Sequence, residues 1–151
     1  MTNHPCGTPQ TAHQSRISGA NLAAVLPDLR QQPLAAIHLV MSIRLCALGE
    51  ASGQDPLPAL ACRLGSITAA RAVLDLTERL SRAWPERYTT ARPCCSRMTP
   101  DEWTVALLAR AARAADRAAF SAALDGFVRT DRHEPLYAAT IGAIAAIDAA
   151  R

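Results

Sequence analysis

Apolar residues recur along this chain at helical spacing, and no sustained alternation of the kind a half-buried strand needs is visible. The pattern predicts a compact all-α bundle of five to six helices. Residues 1–20 are rich in Thr, Ser, Gln, Pro and Gly, so a disordered N-terminal tail is expected, followed by a single helical domain over 21–151. Asn21 is positioned to cap a short helix over 22–26, ahead of Pro27.

The first long helix is expected over 33–48, with Pro33 at its first position and Gly49 as its stop. Leu34, Ile37, Val40, Met41, Ile43, Leu45 and Leu48 cover more than half its circumference, which predicts a central helix. Arg44 falls inside that apolar arc and must snorkel or find a carboxylate. Asp55 and Pro56 start a helix over 57–64 that ends at Gly65. A helix over 66–84 follows, expected to pack on the central one. Ile67, Ala70, Val73, Leu74, Leu76, Leu80 and Trp84 share one face. The other carries the i,i+4 pairs Arg71–Asp75, Asp75–Arg79 and Glu78–Arg82.

Residues 85–98 read as an irregular connector crossing an end of the bundle, with a short extended piece near 88–91. Thr99, Pro100 and Glu102 then form a capping box, with Met98 and Trp103 at the hydrophobic-staple positions, and open a helix to about residue 114. Asp116 caps a helix to residue 124, with Gly126 beyond it. The last helix is expected over 135–150. Its Ala138, Gly142 and Ala146 make a ridge of small residues that lets a neighbouring helix approach.

Composition sharpens this reading. Half the residues are apolar but only 4% aromatic, which favours Ala/Leu-rich helices over strands. Every basic residue is Arg. The net charge of +3 is too small to imply nucleic acid on its own. The middle third, residues 79–117, holds eight Arg against four acids, so any anion-facing surface is expected there. No secretory signal is visible, and the longest apolar stretch, 34–48, contains His38 and Arg44 and is too short to span a bilayer. A cytoplasmic protein with reduced thiols and no membrane association is expected.

Few residues carry recognisable chemistry. Cys94 and Cys95, with Met98 nearby, are soft ligands suited to Zn, Cu or Fe. Arg92 and Arg97 flank the thiols and favour a thiolate, the requirement of a redox sensor. The alternative is that two small residues pack the connector onto the core. Arg110, Arg113 and Arg117 stand at i, i+3 and i+7. With Arg92 and Arg97 they form a candidate phosphate or nucleic-acid contact, against the plainer reading of a solvated face. Residues 60–68 resemble the turn of a helix-turn-helix, but the mixed charge of the following helix argues against a DNA reader. His38, Ser42 and Cys46 form one polar seam, with His38 and Cys46 roughly 12 Å apart along the helix axis, too far for a catalytic dyad. If Met1 is removed, Thr2-Asn3-His4 has the makings of a Cu(II) or Ni(II) chelate. No phosphate loop, H-E-x-x-H, G-x-S-x-G or acidic Mg²⁺ cluster occurs.

The stretch Pro93-Cys94-Cys95, Met98-Thr99 and Asp101-Glu102, preceded by two Leu/Ala/Arg-rich helices, resembles a family of small uncharacterised alphaproteobacterial proteins. In that family a proline is followed by two or three Cys and then Arg-Met-Thr-x-Asp-Glu; a third Cys often stands where this chain has Ser96. The resemblance covers about residues 33–124. It implies a helical fold and a lineage, and no activity, cofactor or catalytic residue. The expected function is therefore a non-enzymatic regulatory or adaptor domain acting through a protein partner or a homo-oligomer. A thiol-based metal or redox sensor and a DNA-binding regulator are the alternatives.

Overall fold

The computed structural model describes residues 28–151. The tail expected over 1–20, the helix expected over 22–26 and the Thr2-Asn3-His4 chelate lie outside that range. The described residues form a compact all-α bundle of six helices: α1 Leu34–Ser52, α2 Leu57–Leu64, α3 Ile67–Ala83, α4 Pro100–Arg113, α5 Arg117–Leu124 and α6 His133–Ala149. One-turn 3₁₀ segments precede α1 and α6.

The helix starts are written locally. Ser66 Oγ accepts from the Ala69 amide at 3.2 Å and Asp116 from the Ala119 amide at 2.9 Å. Asp55 accepts from the Leu57 amide at 2.9 Å. The Ser66 and Asp116 caps each satisfy an amide that the first turn leaves unpaired, worth about 1 kcal/mol, and Asp55, one residue before the Pro56 cap, does so for α2.

Two boundaries differ from expectation by two residues or more. α1 does not stop at Gly49 but runs to Ser52 and closes at Gly53, whose φ of 66° is left-handed. Gly49 has another duty. A Cβ there would sit 3.0 Å from the Gln54 carbonyl and 3.1 Å from Pro56, so the missing side chain lets the next loop fold back on the helix. α6 begins two residues early, at His133. Pro135 still falls within the first turn, where no helical amide bond is lost.

α1 is central: it packs mainly on α4 and also touches α2, α3 and α6. Its buried set is Ala35, Ala36, Leu39, Val40, Ser42, Ile43, Arg44 and Cys46, while Leu34 and Leu48 reach solvent. At 19 residues it is long and apolar enough to cross a membrane by length and composition. Its contacts with four other helices and its buried Arg44 are those of a globular core helix. α3 was expected on α1; it packs mainly on α6 and α2. Ile67, at its first turn, is 53% exposed rather than in the core.

The core continues through Leu60, Val73, Leu76, Leu108, Leu124 and Leu136. Phe120 meets Tyr137 edge-on at 5.0 Å. Cys46 is buried against Thr77, and burial pushes its thiol up to about 11, with the Thr77 hydroxyl only partly opposing this. Cys62, Cys94 and Cys95 are exposed. Brief alkylation of native protein near neutral pH is therefore expected to modify these three and spare Cys46, checked by peptide mass mapping; prompt labelling of Cys46 would contradict its place in the core.

Candidate functional site

Residues 84–98 have no regular structure, yet they are tied down at almost every step. The centre of the tie is Arg44. Its side chain and that of Glu102 are both fully buried. The pair is bidentate: Nε donates to Oε1 at 2.7 Å and Nη2 to Oε2 at 2.8 Å. The remaining guanidinium hydrogens go to connector carbonyls, of Cys95 at 2.5 Å, Arg97 at 3.0 Å and Arg92 at 3.3 Å. All five donors of the guanidinium have a partner.

Glu102 is equally complete. Besides Arg44, Oε1 accepts from the Ala91 amide and Oε2 from the Thr99 amide, each at 2.9 Å. The second of these closes the capping box, whose other half is the Glu102 amide donating to Thr99 Oγ1 at 3.1 Å. One residue thus starts α4, neutralises Arg44 and holds the connector. A buried ion pair is tolerable only when both ions are hydrogen-bonded to this extent. The hydrogen bond to Glu102 and the charge of that carboxylate raise the Arg44 pKa above its ordinary value, against the desolvation that would lower it.

Asp101 fixes the upstream half. Oδ1 accepts from Trp84 Nε1 at 3.0 Å, and Oδ2 from the Thr89 amide and hydroxyl, both at 2.7 Å. Thr99 Oγ1 donates to the Thr89 carbonyl at 2.9 Å. Burial would raise the Asp101 carboxyl, but these donors outweigh it and hold the group below the usual carboxylate range. Trp84 meets Tyr88 and Phe127 edge-on, at 5.5 and 5.3 Å. The downstream half is joined to the N-terminal side of the domain. Asp28 and Arg97 form an isolated antiparallel bridge, with the Leu29 amide donating to the Ser96 carbonyl at 2.8 Å.

The cysteines sit on a tight turn within this frame. The Cys95 amide donates to the Arg92 carbonyl at 2.9 Å, with Pro93 at the turn's first corner. Both thiols are exposed, whereas Met98 is 5% exposed and lies in the core as the staple residue. The three sulfurs do not share one surface. No group of three His, Cys, Asp or Glu among the described residues is placed to hold a metal.

The basic residues separate as well. Arg92 and Arg97 have exposed side chains, while their carbonyls serve Arg44. Arg110, Arg113 and Arg117 do not form one stripe. α4 ends at Arg113, Ala115 turns the chain with a φ of 54°, and Arg117 belongs to α5. Arg113 is paired with Asp148 of α6 at 2.5 Å, and Arg117 with Glu134 of α6 while lying 4.5 Å above the Tyr137 ring. Two of the three therefore strap α4 and α5 to α6.

The turn after α2 does join two helices at Gly65, which is left-handed at 68°. On the outer face of α3, Arg79 is paired with Asp75 at 2.8 Å and Arg82 with Glu78. His38 lies half-buried and Ser42 and Cys46 buried along α1, as the polar seam expected from the sequence.

The small-residue ridge of α6, which lets a neighbouring helix approach, does not face another helix of the described residues along most of its length. Ala138 and Gly142 are instead exposed, a Cβ on Gly142 would meet nothing within 4 Å, and only Ala146 is half-buried. Ala138, Ile141, Gly142, Ala145 and Ala149 are all exposed and fall within an arc of about 100° on the helix. From Pro135 to Ala149 the only charged residue of α6 is Asp148. The periodicity could not show this, because α6 is apolar around its whole circumference. Comparison with protein-family models, with curated proteins and with solved structures finds no match for this chain.

Proposed function

We propose that this protein is a non-enzymatic docking module that pairs with a second copy of itself through the outer face of α6. The observation that carries this reading is the exposed stripe Ala138, Ile141, Gly142, Ala145 and Ala149. A helix apolar on all sides belongs between partners, and this one is buried along one side only. Small side chains allow a second helix to approach to van der Waals contact along the stripe. A two-fold axis through Gly142 sets antiparallel copies so that Gly142 meets its own counterpart, Ala138 faces Ala146 and Ala145 faces Ala139, small residues on both sides as in the isologous interface of a C₂ dimer.

Charge fits the same pairing. The acids at the ends of the stripe, Glu134 and Asp148, are already neutralised by Arg117 and Arg113. Antiparallel copies therefore meet without uncompensated repulsion. A shallow groove of about 330 Å³ between α3 and α6, lined by Ala72, Asp75, Arg79 and Ala139, extends the contact. Such an extension is needed, since stable interfaces bury about 1,200–2,000 Å².

The rest of the molecule supports a scaffold role. The acids at the head of α4 are saturated by structural hydrogen bonds. The exposed free thiols of Cys62, Cys94 and Cys95 suit the reducing cytoplasm. A metal or redox role for Cys94 and Cys95 and a DNA-binding role for the α2–α3 turn are weaker readings: Met98 is withdrawn into the core, and Arg79 and Arg82 are paired.

Sedimentation equilibrium at micromolar concentration tests the proposal. The wild type is expected to be a dimer and Gly142→Arg a folded monomer, since the site has open space for the larger side chain. A wild-type monomer, or a Gly142→Arg dimer, would overturn it. Gly142→Ala serves as a second probe. Measured at dilutions where the chain is monomeric, it is expected to raise stability by about 0.5–1 kcal/mol, because nothing opposes the added methyl and alanine is the better helix former.

A further inference from the structure

A second feature lies away from α6. α1, α3 and the start of the connector enclose a cleft of about 540 Å³. That volume is within the range of small-molecule sites, about 300–1,000 Å³. Its apolar wall includes Ile43 and Ala47 of α1, and its polar groups include Ser81 of α3 and Thr90 of the connector. It also carries one acid, Glu50, and one base, Arg87. Both are exposed, and neither forms an ion pair with any described residue.

The position of Glu50 adds an argument of its own. It stands in the last turn of α1, a turn without a basic residue. The carbonyl end of a helix disfavours an anion and favours a cation. Glu50 and the helix end together make this side of the cleft a place for a positive group. Arg87 supplies a fork of donors suited to a carboxylate. It lies two residues before Thr89, which Asp101 anchors through two hydrogen bonds.

From one acid and one base lining the same partly apolar cleft we infer that it binds a short zwitterionic peptide with free termini. The ammonium group sits at Glu50 and the end of α1, the carboxylate at Arg87, and small apolar side chains lie on Ile43 and Ala47. This site is separate from the α6 face, and its occupancy does not depend on dimerisation.

Isothermal titration calorimetry of the full chain with unblocked Ala-Ala, Ala-Leu and Leu-Leu tests the inference. At least one is expected to bind saturably. N-acetylation or C-amidation of that peptide is expected to weaken binding at least tenfold. Glu50→Gln and Arg87→Gln are expected to do the same, with circular dichroism showing an unchanged fold, as befits two exposed side chains. The inference is overturned if none of the three peptides binds, if blocked peptides bind as well as free ones, or if both substitutions leave affinity unchanged. The dimer measurement on Gly142→Arg is independent of each of these outcomes.

Discussion

Arg44→Met is expected to lower folding stability by about 3–5 kcal/mol, measured as a lower urea midpoint at unchanged slope. Methionine fills much of the same space, so packing is not the main loss. What remains is a buried Glu102 carboxylate without its counter-ion and three connector carbonyls without their donor. Glu102→Met is expected to cost a similar amount, because it also removes the capping box and the acceptor of the Ala91 amide. The double variant tells the pair from the sum. Two apolar residues in place of a buried ion pair abolish the charge penalty, so Arg44→Met/Glu102→Met is expected to be less destabilised than the two single losses added, by about 2–3 kcal/mol. It should still fall below the wild type, since the orphaned carbonyls and amides persist. Additive losses would show that Arg44 and Glu102 act independently.

Asp101→Ala carries the next largest effect, about 2–3 kcal/mol, from the loss of three hydrogen bonds to one carboxylate. The sign of its pH dependence follows from the depressed native pKa. The increment is complete above the unfolded value of 3.8 and vanishes as pH falls through the lower native value. Urea titrations of wild type and variant are therefore expected to differ at pH 7 and to converge in strong acid. A difference that persists undiminished would mean that Asp101 acts through packing rather than through its charge.

Much of this architecture is readable in the sequence, and the reasons are local. Thr99, Pro100 and Glu102 announce the start of α4 within four residues, and Ser66 and Asp116 do the same for α3 and α5. Arg44 signals its own requirement, because a guanidinium in an apolar arc needs an acceptor. The identity of that acceptor is not local. Glu102 already has a sufficient explanation as a capping residue, and nothing in the spacing links it to a residue 58 positions away. The role of the Asp101-Glu102 pair as the clasp of the connector is visible only in three dimensions.

The other departures have the same origin. Gly49 looks like a helix stop, yet its backbone stays helical and its missing side chain makes room for Gln54 and Pro56. Arg110, Arg113 and Arg117 look like a stripe only if the helix continues, and the turn at Ala115 breaks it. Ala138 and Gly142 mark a face made for close approach. The direction of that face depends on how α6 rotates against α3, which an evenly apolar helix does not encode. Burial of one side by α3, α4 and α1 leaves the small-residue side outward.

The central claim, that this outward side is a self-pairing surface, is tested most directly by cross-linking at its midpoint. In a chain with Cys6, Cys62, Cys94 and Cys95 replaced by Ser, a single Gly142→Cys is introduced and the protein is mildly oxidised. A two-fold axis through residue 142 brings the two thiols together, so a reducible covalent dimer is expected, with none from Arg87→Cys in the same background. No cross-link at residue 142, or equal cross-linking at residue 87, would contradict the account.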